Sequence, residues 1–104
     1  MNADKTVGPR KILVNKGARP EDKPIWIEGP HLYKINGNYF LMSAEGGTAG
    51  WHSEVIFRGD SPMGKFLPWK NNPILTQRHL NSDRPNSVTC AGHADLIQTK
   101  EGDW

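Results

Sequence analysis

A hairpin signature that occurs twice constrains this chain more than any other feature. The first copy runs Gly29-Pro30-His31-Leu32-Tyr33-Lys34-Ile35-Asn36-Gly37-Asn38-Tyr39. The second runs Gly92-His93-Ala94-Asp95-Leu96-Ile97-Gln98-Thr99-Lys100-Glu101-Gly102-Asp103-Trp104. Each has Gly and His near its start, an apolar stretch, a polar turn containing Gly, and then an aromatic. Gly29 to Gly92 is 63 residues and Gly37 to Gly102 is 65, so the second copy carries a small insertion. A period of this order, built from strands and turns, points to a radial β repeat such as a propeller. One unit of that kind cannot bury both faces of its sheet, and 104 residues hold little more than one unit. The expected fold is therefore all-β: antiparallel strands forming about one to one and a half propeller blades, as a fragment of a larger ring.

The pattern along the chain gives the same division. Residues 1–27 read as the end of a preceding blade and a connecting loop, with Lys11-Ile12-Leu13-Val14 as a short strand. Residues 28–91 read as one blade with its crossing loop. Within it, residues 32–35 and 39–44 flank Asn36-Gly37, a dipeptide that favours positive φ and closes tight hairpins. Tyr39-Phe40-Leu41-Met42 is nearly continuous in apolar residues, which predicts a strand buried on both faces. Residues 52–58 predict a third strand and residues 65–69 a short outer one. Residues 71–87 are mostly polar and should cross the surface. Residues 92–104 begin the repeat again as the truncated first strand of the next blade. A β-sandwich would need about seven strands, and the pattern supplies fewer.

Composition excludes several function classes. Thirteen basic and 11 acidic residues are well mixed and leave a net charge of +2, too weak a field to indicate nucleic acid. No apolar run approaches the ~20 residues that span a bilayer, so no membrane partner is expected. Residues 2–10 contain no hydrophobic core of a signal peptide, which leaves the cellular location open. The single Cys90 rules out an internal disulfide framework and a Cys-rich zinc site.

Glu28 is the first residue with chemical promise. It lies between Trp26-Ile27 and Gly29-Pro30, beside His31. A carboxyl among apolar groups is desolvated when ionised, which raises its pKa and suits it to donate a proton. Trp51 can present an aromatic platform to the apolar face of a sugar, or serve in packing. Cys90 has no base nearby in sequence and reads as an inert thiol.

Four motifs in order then resemble a known family. Glu28-Gly29-Pro30-His31-Leu32-Tyr33-Lys34 is followed by Tyr39-Phe40-Leu41-Met42-Ser43-Ala44-Glu45-Gly46-Gly47-Thr48, by Asn72-Pro73-Ile74-Leu75-Thr76 and by Gly92-His93-Ala94-Asp95-Leu96. Together they resemble glycoside hydrolase family 43, in particular its β-xylosidase and α-L-arabinofuranosidase members, over residues 8–104. The resemblance implies a five-bladed β-propeller and an inverting mechanism on xylo- or arabino-oligosaccharides. It implies Glu28 as the general acid and His93 as a residue that helps hold a structural calcium ion near the propeller axis. No cofactor is implied for the chemistry itself. His52, Trp51, Thr48 and Glu45 fall where the family lines its sugar pocket. The remaining blades of the ring are the implied partners. An inverting site needs carboxyls roughly 6.5–9.5 Å apart to admit water. The family's general base and the aspartate that tunes the acid match no motif in this chain, and Asp4 and Asp22 are assigned neither role. These 104 residues alone are therefore expected to be inactive. The alternative is a carbohydrate-binding propeller module that does no chemistry, since a fold does not fix a function.

Overall fold

The computed structural model describes residues 8–104. Five strands form one antiparallel sheet: β1 (Glu28–Ile35), β2 (Asn38–Glu45), β3 (Ser53–Gly59), β4 (Leu67–Pro68) and β5 (Leu75–Thr76). The order is β1-β2-β3-β4, and β5 also pairs with β3. Among the described residues the only helical element is a 3-10 turn at Pro20–Asp22. The expected class, all-β and antiparallel, is the one that forms.

Local chemistry explains the central hairpin. Asn36 and Gly37 have φ of 48° and 79°, the left-handed pair that a two-residue turn between twisted strands requires. Strand β2 is central, and Leu41, Met42, Ser43, Ala44 and Glu45 are all buried, as the apolar run predicted. β1 carries a bulge. Glu28 pairs with Ala44 and His31 with Met42, so three steps on β1 face two on β2. Gly29, at φ 56°, supplies the unusual backbone angle there.

The outer edge of β3 is covered piecewise. Phe57 and Arg58 pair with β4, and Ser53 and Glu54 pair with β5. Between them the Asn72 side chain takes the place of a strand residue. Its Nδ2 donates to Ile56 O at 2.8 Å, and its Oδ1 accepts from Ile56 N at 2.9 Å. β4 is shorter than the stretch expected at 65–69, because Pro68 has no N–H to extend the ladder.

The core lies on one face of the sheet. Ala18, Leu41, Val55, Phe57 and Phe66 form it, with Leu13, Val14, Ile27 and Tyr39 packed against them. The strand expected at Lys11-Ile12-Leu13-Val14 does not form. Leu13 and Val14 instead lie half-buried over the sheet, held by side-chain packing rather than by a backbone ladder. The opposite face is covered at one end by residues 92–96. The second hairpin signature makes its turn, with Gly102 N bonded to Thr99 O and Thr99 N to Asp103 O. Residues 94–98 pair with no strand among the described residues.

Candidate functional site

Glu28 begins β1 and is exposed. The Trp26 side chain, which sequence alone placed beside it as apolar cover, is itself 68% exposed. The apolar shell expected around the Glu28 carboxyl is therefore not assembled by its sequence neighbours. What the bulge does create is a close approach at the next residue. The His93 imidazole lies against Gly29 so tightly that a Cβ at position 29 would meet Nε2, with Cε1 at 2.9 Å. His93 itself holds a left-handed backbone, φ 56°. The second signature thus folds back onto the first, and its histidine sits one residue from Glu28.

His52 is buried beside this point. Its Nδ1 is 2.5 Å from Gly47 O. A carbonyl can only accept, so Nδ1 carries a hydrogen and donates it. The His52 and His93 ring centres are 6.4 Å apart. Gly92 passes over the His52 ring, where a Cβ would come within 2.7 Å of Cδ2.

A residue that sequence reasoning missed lies under the same group. Glu54, on β3, is fully buried. One carboxyl oxygen, Oε2, accepts from the Ala94 N–H at 2.9 Å. The other, Oε1, has no hydrogen-bond partner. Burial pushes the Glu54 pKa up, opposed by the hydrogen bond from Ala94, the neighbouring His93 backbone N–H and the nearby His93 and His31 side chains. The missed signal was the two-residue period. In Ser53-Glu54-Val55-Ile56, Glu54 shares a face with Ile56, and the register places it opposite Ala44.

Beyond His93 the chain is fastened to β1. Tyr33 donates its hydroxyl to Asp95 Oδ1. The Leu96 N–H donates to Tyr33 Oη at 2.9 Å and to Asp95 Oδ1 at 2.8 Å. The Tyr33 bond lowers the Asp95 pKa, with help from Leu96 and His31. Asp95 is thus tied up in holding the chain, through the Tyr33 hydroxyl and the Leu96 N–H.

The remaining sugar-pocket candidates lie elsewhere. Trp51 is exposed, with the Arg78 guanidinium 5.2 Å from its ring centre, and the two help line a cleft with Pro24, Ile25 and Glu45. Glu45 is buried and its Oε2 accepts from the Ala18 N–H at 2.9 Å. Burial raises its pKa against the pull of that bond and of Arg78. Thr48 is exposed on the loop between β2 and β3. The structure therefore gathers Glu28, His52 and His93 at one end of the sheet and sets Trp51 and Glu45 around a separate cleft.

Calcium takes about six to eight oxygen ligands. Among the described residues no three His, Cys, Asp or Glu side chains are grouped to hold a metal ion. His93 contributes one nitrogen, which does not fit such a site by itself. No helix among the described residues is long and apolar enough to cross a membrane.

Comparison with known proteins adds independent findings. The family model described as glycosyl hydrolases family 43 matches residues 1–104. A non-reducing end α-L-arabinofuranosidase from Bacteroides ovatus is 49% identical over 77 residues, covering 74% of this chain and 14% of that protein. A xylosidase/arabinosidase from Butyrivibrio fibrisolvens is 42% identical over 100 residues, covering 96% of this chain and 18% of its own. Among solved structures, a GH43_12 protein retrieved from capybara gut metagenome superposes with a TM-score of 0.77 at 59% identity, covering 85% of this chain and 16% of that one. The chain spans less than a fifth of each relative, as a piece of a five-bladed propeller does. The four ordered motifs, the antiparallel blade and a match along the whole length lead to one conclusion: this chain belongs to glycosyl hydrolases family 43.

Proposed function

We propose that this chain is the part of an inverting β-xylosidase or α-L-arabinofuranosidase that carries the general acid, Glu28. Its carboxyl gives a proton to the departing glycosidic oxygen. Water attacks the anomeric carbon from the opposite face and loses its proton to a base that this chain does not supply. The observation that carries the proposal is the β1 bulge. It leaves Glu28 exposed at the open end of the sheet while the next residue, Gly29, is pressed against His93. A proton donor must reach substrate, and an exposed carboxyl at the rim of a rigid strand can do so.

Trp51 and Thr48 are proposed to contact sugar from the adjoining loop. The exposed Trp51 ring offers an apolar surface to pyranose C–H groups. His52 and Glu45 are proposed to shape that loop from beneath, through Gly47 O and Ala18 N.

The test is Glu28→Gln in the complete polypeptide that carries this chain. Turnover of a xylo-oligosaccharide, whose leaving group needs a proton, should fall about 100- to 10,000-fold. Turnover of a nitrophenyl glycoside should fall far less. Unchanged rates on both would remove Glu28 from the chemistry.

A further inference from the structure

A buried carboxyl with one oxygen unpaired is costly and calls for an explanation. Glu54 is such a group, on a strand whose role in the sheet any apolar residue could fill. Its single side-chain hydrogen bond reaches 40 residues along the chain to the N–H of Ala94. Ala94 follows His93, which holds φ 56°, a left-handed conformation that is uncommon outside glycine. The His93 imidazole in turn occupies the space where Gly29 lacks a Cβ, and Gly29 follows Glu28. The contacts form one continuous chain: Glu54 carboxyl, His93–Ala94 backbone, His93 ring, Gly29, Glu28.

We propose that Glu54 is a positioning residue: it anchors the left-handed turn at His93 and so fixes the imidazole that sets the backbone beneath Glu28. This rests on the reading of Glu28 as the acid. Glu54 touches no substrate. Its effect passes through His93, because a carboxylate oxygen is the acceptor that holds Ala94. A side chain of similar length without an acceptor frees that turn. A Gln in its place keeps an acceptor oxygen for Ala94.

The experiment uses the complete polypeptide with Glu54→Met, Glu54→Gln, His93→Ala and the Glu54→Met/His93→Ala double variant, with Glu28→Gln as control. Rates are measured on a xylo-oligosaccharide and on a nitrophenyl glycoside. A displacement near 1 Å at a catalytic group can cost about 100-fold. Glu54→Met should therefore lose roughly 10- to 100-fold on the oligosaccharide and several-fold less on the aryl glycoside, while Glu54→Gln retains most turnover on both. In the His93→Ala background, adding Glu54→Met should cost no more than about threefold, since residues that act through one another are not additive. Equal losses in the Met and Gln variants, equal losses on both substrates, or fully multiplicative losses with His93→Ala would each overturn the proposal.

Gly29→Ala serves if the Met variant does not fold. Its methyl displaces the imidazole with Glu54 intact, and it should show the same preference for the activated substrate. Full oligosaccharide turnover in Gly29→Ala would contradict the proposal. Unchanged rates in Glu28→Gln would sink the reading of the acid itself. Collapse in Glu28→Gln with normal rates in Glu54→Met would sink only the positioning role.

Discussion

The histidines show how a residue's neighbours, rather than its type, decide what it can do. His52 has its Nδ1 fixed by Gly47 O, so its ring is held by the loop. His31 stands 3.6 Å from Asp95 and stacks on Tyr33, which makes it part of a fastening rather than a free base. His93 alone lies against the strand that bears Glu28. The carboxyls differ in the same way. Glu45 is buried, and its pKa stands above the ordinary 4.5 chiefly through desolvation. A folded-state pKa above the unfolded value means that the folded state holds its proton longer. This contribution to stability is full below about pH 4.5 and is lost as pH rises through the raised value. Urea melts of the complete polypeptide and of Glu45→Gln should therefore differ in pH slope across that window, the variant losing less stability, or gaining more, as pH rises. An unaltered pH slope in the variant would contradict the account.

At the scale of elements, β3 depends on what seals its outer edge. Asn72 satisfies both the N–H and the C=O of Ile56. Asn72→Ala removes the amide from both groups; Ile56 O keeps the Trp69 N–H at 3.1 Å, so the loss falls on the Ile56 N–H and should be roughly 1–3 kcal/mol in a denaturant titration. A loss below about 0.5 kcal/mol would show that water or a neighbour replaces the amide. The contrast between edge and centre also explains which elements could be read from sequence. The β1–β2 hairpin was legible because Asn36-Gly37 dictates its turn, and β3 because Val55-Ile56-Phe57 sits between polar ends and turn residues. Lys11-Ile12-Leu13-Val14 has the same apolar character but finds no backbone partner, so its side chains pack while its backbone does not pair. β4 lies inside the outer strand expected at 65–69, whereas β5 has two residues within the stretch expected to cross the surface, too few to leave a pattern. Glu54 was passed over because a charged residue in a strand is usually solvated, and only the fold of residues 92–96 over that face buries it.

For the whole molecule, the match to the family is complete along this chain, yet the chain covers 14–18% of the curated relatives cited above. Glu28, His52 and His93 lie at one end of the sheet, with His93 against Gly29. The inverting centre proposed above needs a second carboxyl across a gap wide enough for water. The 104 residues by themselves should therefore show no turnover of an aryl xyloside or arabinofuranoside, and measurable hydrolysis by the purified chain would refute this. On the sheet face opposite the core, Phe40, Ile56, Leu67, Trp69 and Ile74 help line an open groove of about 720 Å³, together with the charged side chains of Arg58, Asp60, Lys65 and Lys70.

The most direct test of Glu28 as proton donor is a leaving-group series. Rates for aryl xylosides or arabinofuranosides, with phenols of graded acidity, are compared between the complete polypeptide and its Glu28→Gln variant. The account predicts a shallow dependence on phenol pKa for the first, because the acid protonates every leaving oxygen. It predicts a steep dependence for the second, where poor leaving groups go unassisted. Parallel slopes would contradict it.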